Sequence, residues 1–139
     1  APMHVTFHRA FDRCRDWESS LEDIISCGCE RILTSGLHNT APEGIEIIKK
    51  MVERSAGRIK IMAGSGISPL NVVEIINSTG CTEVHFSAKH IIKGGMEYQN
   101  AALCENELER AGNSYFETSE EIVKEIVTEI ARETARGCK

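Results

Sequence analysis

The stretch GCERILTSGLHNTAPEGIEIIKKMVERSAGRIKIMAGSGI, residues 28–67, decides the fold. It holds two short β-rich runs, Arg31 to Thr34 and Ile59 to Met62, on either side of a segment whose apolar residues Ile45, Ile48, Met51 and Val52 recur at helical spacing. Thr40-Ala41-Pro42-Glu43 predicts the start of that helix as a capping box with proline in the first turn, and Gly57 predicts its end. Two strands joined through one helix by connections this short form a parallel pair with a right-handed crossover.

The same unit repeats on both sides. Upstream, His4 to Phe7 reads as a strand, Asp16 caps a helix that places Leu21, Ile24 and Ile25 on one face, and Gly28 stops it. Downstream, Ser68-Pro69 opens a helix that buries Val72, Val73, Ile75 and Ile76, Gly80 ends it, and Glu83 to Phe86 is a fourth strand. Gly28-Cys29 and Gly80-Cys81 both lie in the turn from a helix into a strand, a weak internal repeat. The order β-α-β-α-β-α-β makes an α/β fold with a parallel sheet. Beyond it, residues 93–117 read as a long polar loop. Residues 118–137 read as a C-terminal helix opened by Thr118-Ser119-Glu120-Glu121, with Ile122, Val123, Ile126, Val127 and Ile130 as its apolar stripe.

Composition narrows the partners. A net charge of -5 over 139 residues carries no electrostatic footprint for nucleic acid, and no apolar run is long enough to span a bilayer. Small molecules, metals and other proteins remain. The six cysteines include no CxxC pair, so neither a thioredoxin-type redox pair nor a zinc knuckle can be written, and they read as free thiols.

Parallel α/β folds bind ligands at the C-terminal ends of their strands. His8, Arg9 and Asp12 supply an acid or base, a fixed cation and a carboxylate within five residues, unless Arg9 and Asp12 only pair locally, and Thr34 ends the next strand. Gly64, Ser65 and Gly66, with Ser87 and Ala88 at the end of the following strand, predict an anion site of the kind barrel enzymes build after their last strands. His85 is a further acid or base candidate whose alternation with Val84 and Phe86 also suits a core histidine, and the core reading is the expectation here. Cys27 and Cys29 form a C-x-C pair of soft donors suited to Cu(I), although their place in a helix-to-strand turn, away from the C-terminal ends of the strands, favours a structural role.

Four motifs taken together resemble one family. Val5 to Asp12 (VTFHRAFD), Gly28 to Gly36 (GCERILTSG), Gly57 to Ile67 (GRIKIMAGSGI) and Glu83 to Ala88 (EVHFSA) closely resemble the CutC copper homeostasis proteins, in the same order. Met62-Ala63-Gly64 departs from the Met-Pro-Gly often found in the family. The resemblance implies a cytoplasmic TIM-type (β/α)8 barrel that handles copper. A barrel needs eight units, so residues 1–139 are expected to be its C-terminal half, about the last four β/α units with the N-terminal half absent. Such a half is expected to form a homo-oligomer or to pair with the missing half. No copper ligand carries over from the matched motifs. Three functions stay open: Cu(I) handling through thiols, an enzyme acting on a small phosphorylated or carboxylated metabolite at the strand ends, and a non-catalytic interaction scaffold.

Overall fold

The computed structural model describes residues 3–98, 100, 102 and 114–137, with side chains through residue 135. The chain divides into two compact units, Ala1–Phe86 with Ile126–Lys139, and Ser87–Glu125.

In the first unit four strands form one parallel sheet in chain order: β1 (Thr6–Phe7), β2 (Arg31–Thr34), β3 (Lys60–Gly64) and β4 (Glu83–His85). The helices α1 (Trp17–Ser26), α2 (Ile45–Ser55) and α3 (Val72–Thr79) connect them. This is the predicted succession of β/α units. Register pairs Phe7 with Ile32 and Ile32 with Ile61, then Thr34 with Ala63 and Ala63 with Val84, so these residues share one face of the sheet. Ile32, Thr34, Ile61 and Ala63 are buried there, together with Leu21, Ile48, Met51, Val72 and Ile75 from the helices. The other face carries Arg31, Leu33, Lys60, Met62, Glu83 and His85. Glu83 takes two bonds from Arg31 (2.6 and 3.2 Å) and one from Lys60 (2.9 Å), and these hold its carboxyl down to about 2.

Local chemistry explains most boundaries. Asp16 caps α1 through Glu18 N (3.0 Å) and Ser19 N (3.4 Å). Gly28 and Gly80 follow their helices with φ of +79° and +72°, a conformation only glycine adopts without cost, which explains the repeated glycine.

Three starts differ from expectation. The capping box at Thr40 is half-formed: Glu43 accepts from Thr40 N (3.2 Å), but residues 41–44 are a turn and α2 begins at Ile45 with Gly44 as its cap. Likewise α3 begins at Val72 and not at Ser68. Asn71, which precedes it, turns its carboxamide back to Ser68 N and Gly66 O (both 2.8 Å), stabilising the connecting turn in place of a helical one. Finally, α4 (Glu120–Gly137) is capped by Ser119, which accepts from Ile122 N (3.3 Å), because Thr118 is committed to a strand.

That strand belongs to the second unit, where β5 (Lys89–Ile92) pairs antiparallel with β6 (Tyr115–Thr118). Residues 115–117 of the expected loop are therefore strand; its middle, with Cys104, lies outside the described residues, as does Cys138. Lys89 stands over the Phe116 ring at 5.3 Å. Among the described residues no helix is long and apolar enough to cross a membrane.

Candidate functional site

Strand β1 ends at Phe7, and the chain turns at once into a 3₁₀ helix, Arg9–Arg13. His8 caps it, its Nδ1 accepting from Ala10 N at 3.0 Å, so the neutral ring carries its proton on Nε2. The helix drops Asp12 over the end of β2. There Oδ1 accepts from Thr34 Oγ1 (2.5 Å), Ser35 N (3.1 Å) and Leu37 N (3.2 Å), and Oδ2 accepts from Arg9 Nε and Ser35 Oγ (2.8 and 2.9 Å). Thr34 and Ser35 are fully buried. Burial pushes the Asp12 carboxyl up, but the bonds from Thr34, Arg9 and Ser35 outweigh it and leave the group below its ordinary value.

Two oxygens with about four lone-pair sites already face five donor groups. Asp12 therefore holds the β2–α2 loop and Arg9 in place. Arg9 lies across it with a side chain 40% exposed. Its Nη2 reaches Ser35 Oγ (2.6 Å) and the carbonyls of His38 and Asn39 (both 3.3 Å). The Ser35 hydroxyl sits between Asp12 and the His38 carbonyl with one proton to give.

Two glycines make this loop possible. A Cβ on Gly36 would lie 2.3 Å from Gly44 O, and one on Gly44 would lie 1.9 Å from Ser35 O, so backbone packs directly on backbone. Ser35, Leu37 and Gly44 were not among the expected site residues. The only sequence signals for them are the Thr-Ser-Gly that ends β2 and a glycine standing immediately before an apolar helix.

His85, expected in the core, is exposed instead. It pairs in register with Gly64, on the face turned away from the helices. Gly64 leaves room for it: a Cβ there would meet Leu33 Cδ1 at 2.6 Å and His85 Cβ at 3.4 Å. In the glycine turn that follows, Ser65 and Gly66 both have positive φ (+77° and +74°), and Ser65 Oγ donates to Asn39 O (2.9 Å). The N-terminus of α3 lies six residues beyond Gly66. Ser87 and Ala88 fall in the second unit, where Ala88 O accepts from Ser119 N (2.9 Å) and Ser87 O from Thr118 Oγ1 (3.2 Å).

At the opposite ends of the strands, Cys27 is exposed and Cys29 half-buried, both free thiols on the turn around Gly28. Cys29 lines a cleft with His4 and Glu30, which are hydrogen-bonded to each other. Among the described residues, no three His, Cys, Asp or Glu side chains are grouped closely enough to hold a metal ion.

The four quoted motifs all lie within residues 1–90, and the family model for the CutC family matches that span. The chain belongs to the CutC family. Similar members include a family protein CutC from Bacteroides fragilis, 52% identical over 101 residues, which are 73% of this chain and 40% of the relative. One from Vibrio cholerae is 60% identical over 87 residues, 63% of this chain and 34% of the relative. Among solved structures, the CutC protein of Streptococcus agalactiae, provisionally named for copper homeostasis, matches with a TM-score of 0.57 and 34% identity. The match covers 60% of this chain and 41% of that one. The chain thus spans about 40% of the length of the CutC relatives it matches. The family match ends at His90, inside β5, so most of the second unit and α4 lie outside it.

Proposed function

We propose that the chain supplies about four of the eight β/α units of a TIM-type barrel, and that the whole protein acts in copper homeostasis, handling Cu(I) in the cytoplasm through Cys27 and Cys29. The observation that carries this reading is the pair of free thiols flanking Gly28 on an accessible turn. Their chemistry fits the cargo. Thiolates are soft donors that select Cu(I), and two sulfurs suffice for an ion that accepts linear two-coordination. Zinc or a hard divalent ion wants four or more ligands, which the absence of a three-residue group among the described residues does not favour. The barrel reading draws support from four parallel strands in chain order and from the family. The test is a competition titration of Cu(I) against a chromophoric chelator. Stoichiometric retention is expected in the parent chain and its loss in the Cys27→Ser/Cys29→Ser double variant. Equal retention by both proteins refutes these ligands.

A second reading is favoured by the Arg9, Asp12 and Ser35 arrangement: an enzyme that binds a small phosphorylated or carboxylated metabolite at the C-terminal strand ends. Gly64, Ser65 and Gly66 would hold its anion, and the exposed His8 and His85 would supply acid–base chemistry. Phosphate density at the glycine turn in a soaked crystal is expected. A turn closed by its own side chains argues against it.

A further inference from the structure

We propose that the cleft between the 3₁₀ helix Arg9–Arg13 and the loop 37–43 is an oxyanion site that takes a small carboxylate- or phosphate-bearing molecule through Arg9. The proposal rests on the second reading above and moves its anion from the glycine turn to a guanidinium. The cleft measures about 490 Å³, within the range of small-molecule sites, and is lined by the cations Arg9 and Arg13, the acids Asp12 and Glu43, and Leu37, His38 and Asn39.

Arg9 is preorganised for this task. Its Nε is held by Asp12 at 2.8 Å, and its Nη2 by one hydroxyl and two carbonyls at 2.6 to 3.3 Å. Among the described residues Nη1 makes no hydrogen bond, which leaves two N–H groups on the half-exposed edge of a fixed fork. A guanidinium already immobilised loses little further entropy when it binds an anion. Asp12 neutralises Arg9 only in part, because it shares its charge with Thr34, Ser35 and Leu37. Arg13 adds a second cation, and among the described residues it makes no ion pair. Glu43, the other acid of the lining, is engaged with Thr40 N at 3.2 Å. The His38 ring is tied by Nδ1 to Gly36 O at 2.6 Å, which leaves Nε2 as an acceptor for a ligand O–H.

The test is a titration of the ¹⁵N-labelled 139-residue chain with sodium phosphate and, separately, with malonate, at constant ionic strength, following the backbone amide resonances in every protein and the Arg9 Nε–H resonance wherever Arg9 is kept. One of the two anions is expected to saturate, and which one does identifies the ligand as phosphate or carboxylate. Arg9→Ala should weaken binding about 10- to 100-fold, the value of a charge-assisted bond. Arg9→Lys, which keeps the charge but loses the fork, should stay impaired, and Arg13→Ala, a change at an exposed side chain, should lose less. If Arg9→Ala binds like the parent and the shifts fall on Gly64 to Gly66, the cleft assignment fails while the second reading stands. If neither anion saturates in a chain whose spectrum is dispersed, both fail.

Discussion

Replacing Asp12 with alanine removes one acceptor group from four residues at once. The carboxylate takes bonds from Arg9 Nε, Thr34 Oγ1, Ser35 N and Oγ, and Leu37 N. Arg9 is half-exposed and Leu37 partly exposed, so both can turn to water. Ser35 Oγ keeps the His38 carbonyl as a partner. The Thr34 hydroxyl and the Ser35 amide belong to fully buried residues, and each donor left unsatisfied costs about 1–3 kcal/mol. The expected loss is therefore about 2–6 kcal/mol, a large share of the roughly 5–15 kcal/mol that holds a domain together. With a urea m-value of about 2 kcal/mol/M, the midpoint should fall by roughly 1–3 M, read by circular dichroism at one fixed chain concentration. Asp12→Asn should lose less, since it keeps one acceptor oxygen. A loss under about 1 kcal/mol for the alanine variant would refute the reasoning, because it would mean the buried donors find other partners. The acid dependence has a definite sign. Asp12 is lowered in the folded state, so its contribution is complete above the unfolded carboxyl value and disappears as pH falls through the folded one.

Other outcomes follow from the same geometry. Gly44→Ala, whose new Cβ would lie 1.9 Å from Ser35 O, should lower Tm well beyond Gly28→Ala, which meets nothing within 4 Å and costs only left-handed strain of about 1–2 kcal/mol; equal effects in calorimetry would remove the claim that backbone contact demands Gly44. Glu83, held down to about 2 by Arg31 and Lys60, stabilises the fold above the ordinary glutamate value and loses that contribution as pH falls toward 2. Glu83→Gln should flatten that part of an acid titration followed by circular dichroism, and an unchanged profile would count against the network. Since β1 and β4 each pair on one side only within their sheet, the isolated chain should self-associate. A monomer in sedimentation velocity, with a sharp two-state melt, would overturn this.

Much of the fold was legible because its signals are local. The spacing of Ile45, Ile48 and Met51, the cap at Asp16 and the glycines at 28 and 80 each depend on residues within a few positions, and the structure keeps each of them. Structure and local signal part where a distant segment competes. Thr118 looks like a helix cap, but the register of β5 with β6 claims it across 29 residues. Ser68-Pro69 looks like a helix start, but the Asn71 carboxamide holds that segment as a turn.

By itself the sequence determined the alternation of strands and helices, the buried stripe of each helix, the parallel order of the sheet and the family. Period and punctuation are properties of adjacent residues. Only the tertiary structure decided what the polar residues at the strand ends do. Asp12 could be read as a catalytic carboxylate until its donors arrived from residues 22 to 25 positions away. His85 alternates like a core residue, and the register places it on the sheet face opposite the helices, where it is exposed in this chain. Whether a carboxylate holds a loop or takes a proton depends on how many donors surround it, and that number is set when distant segments meet.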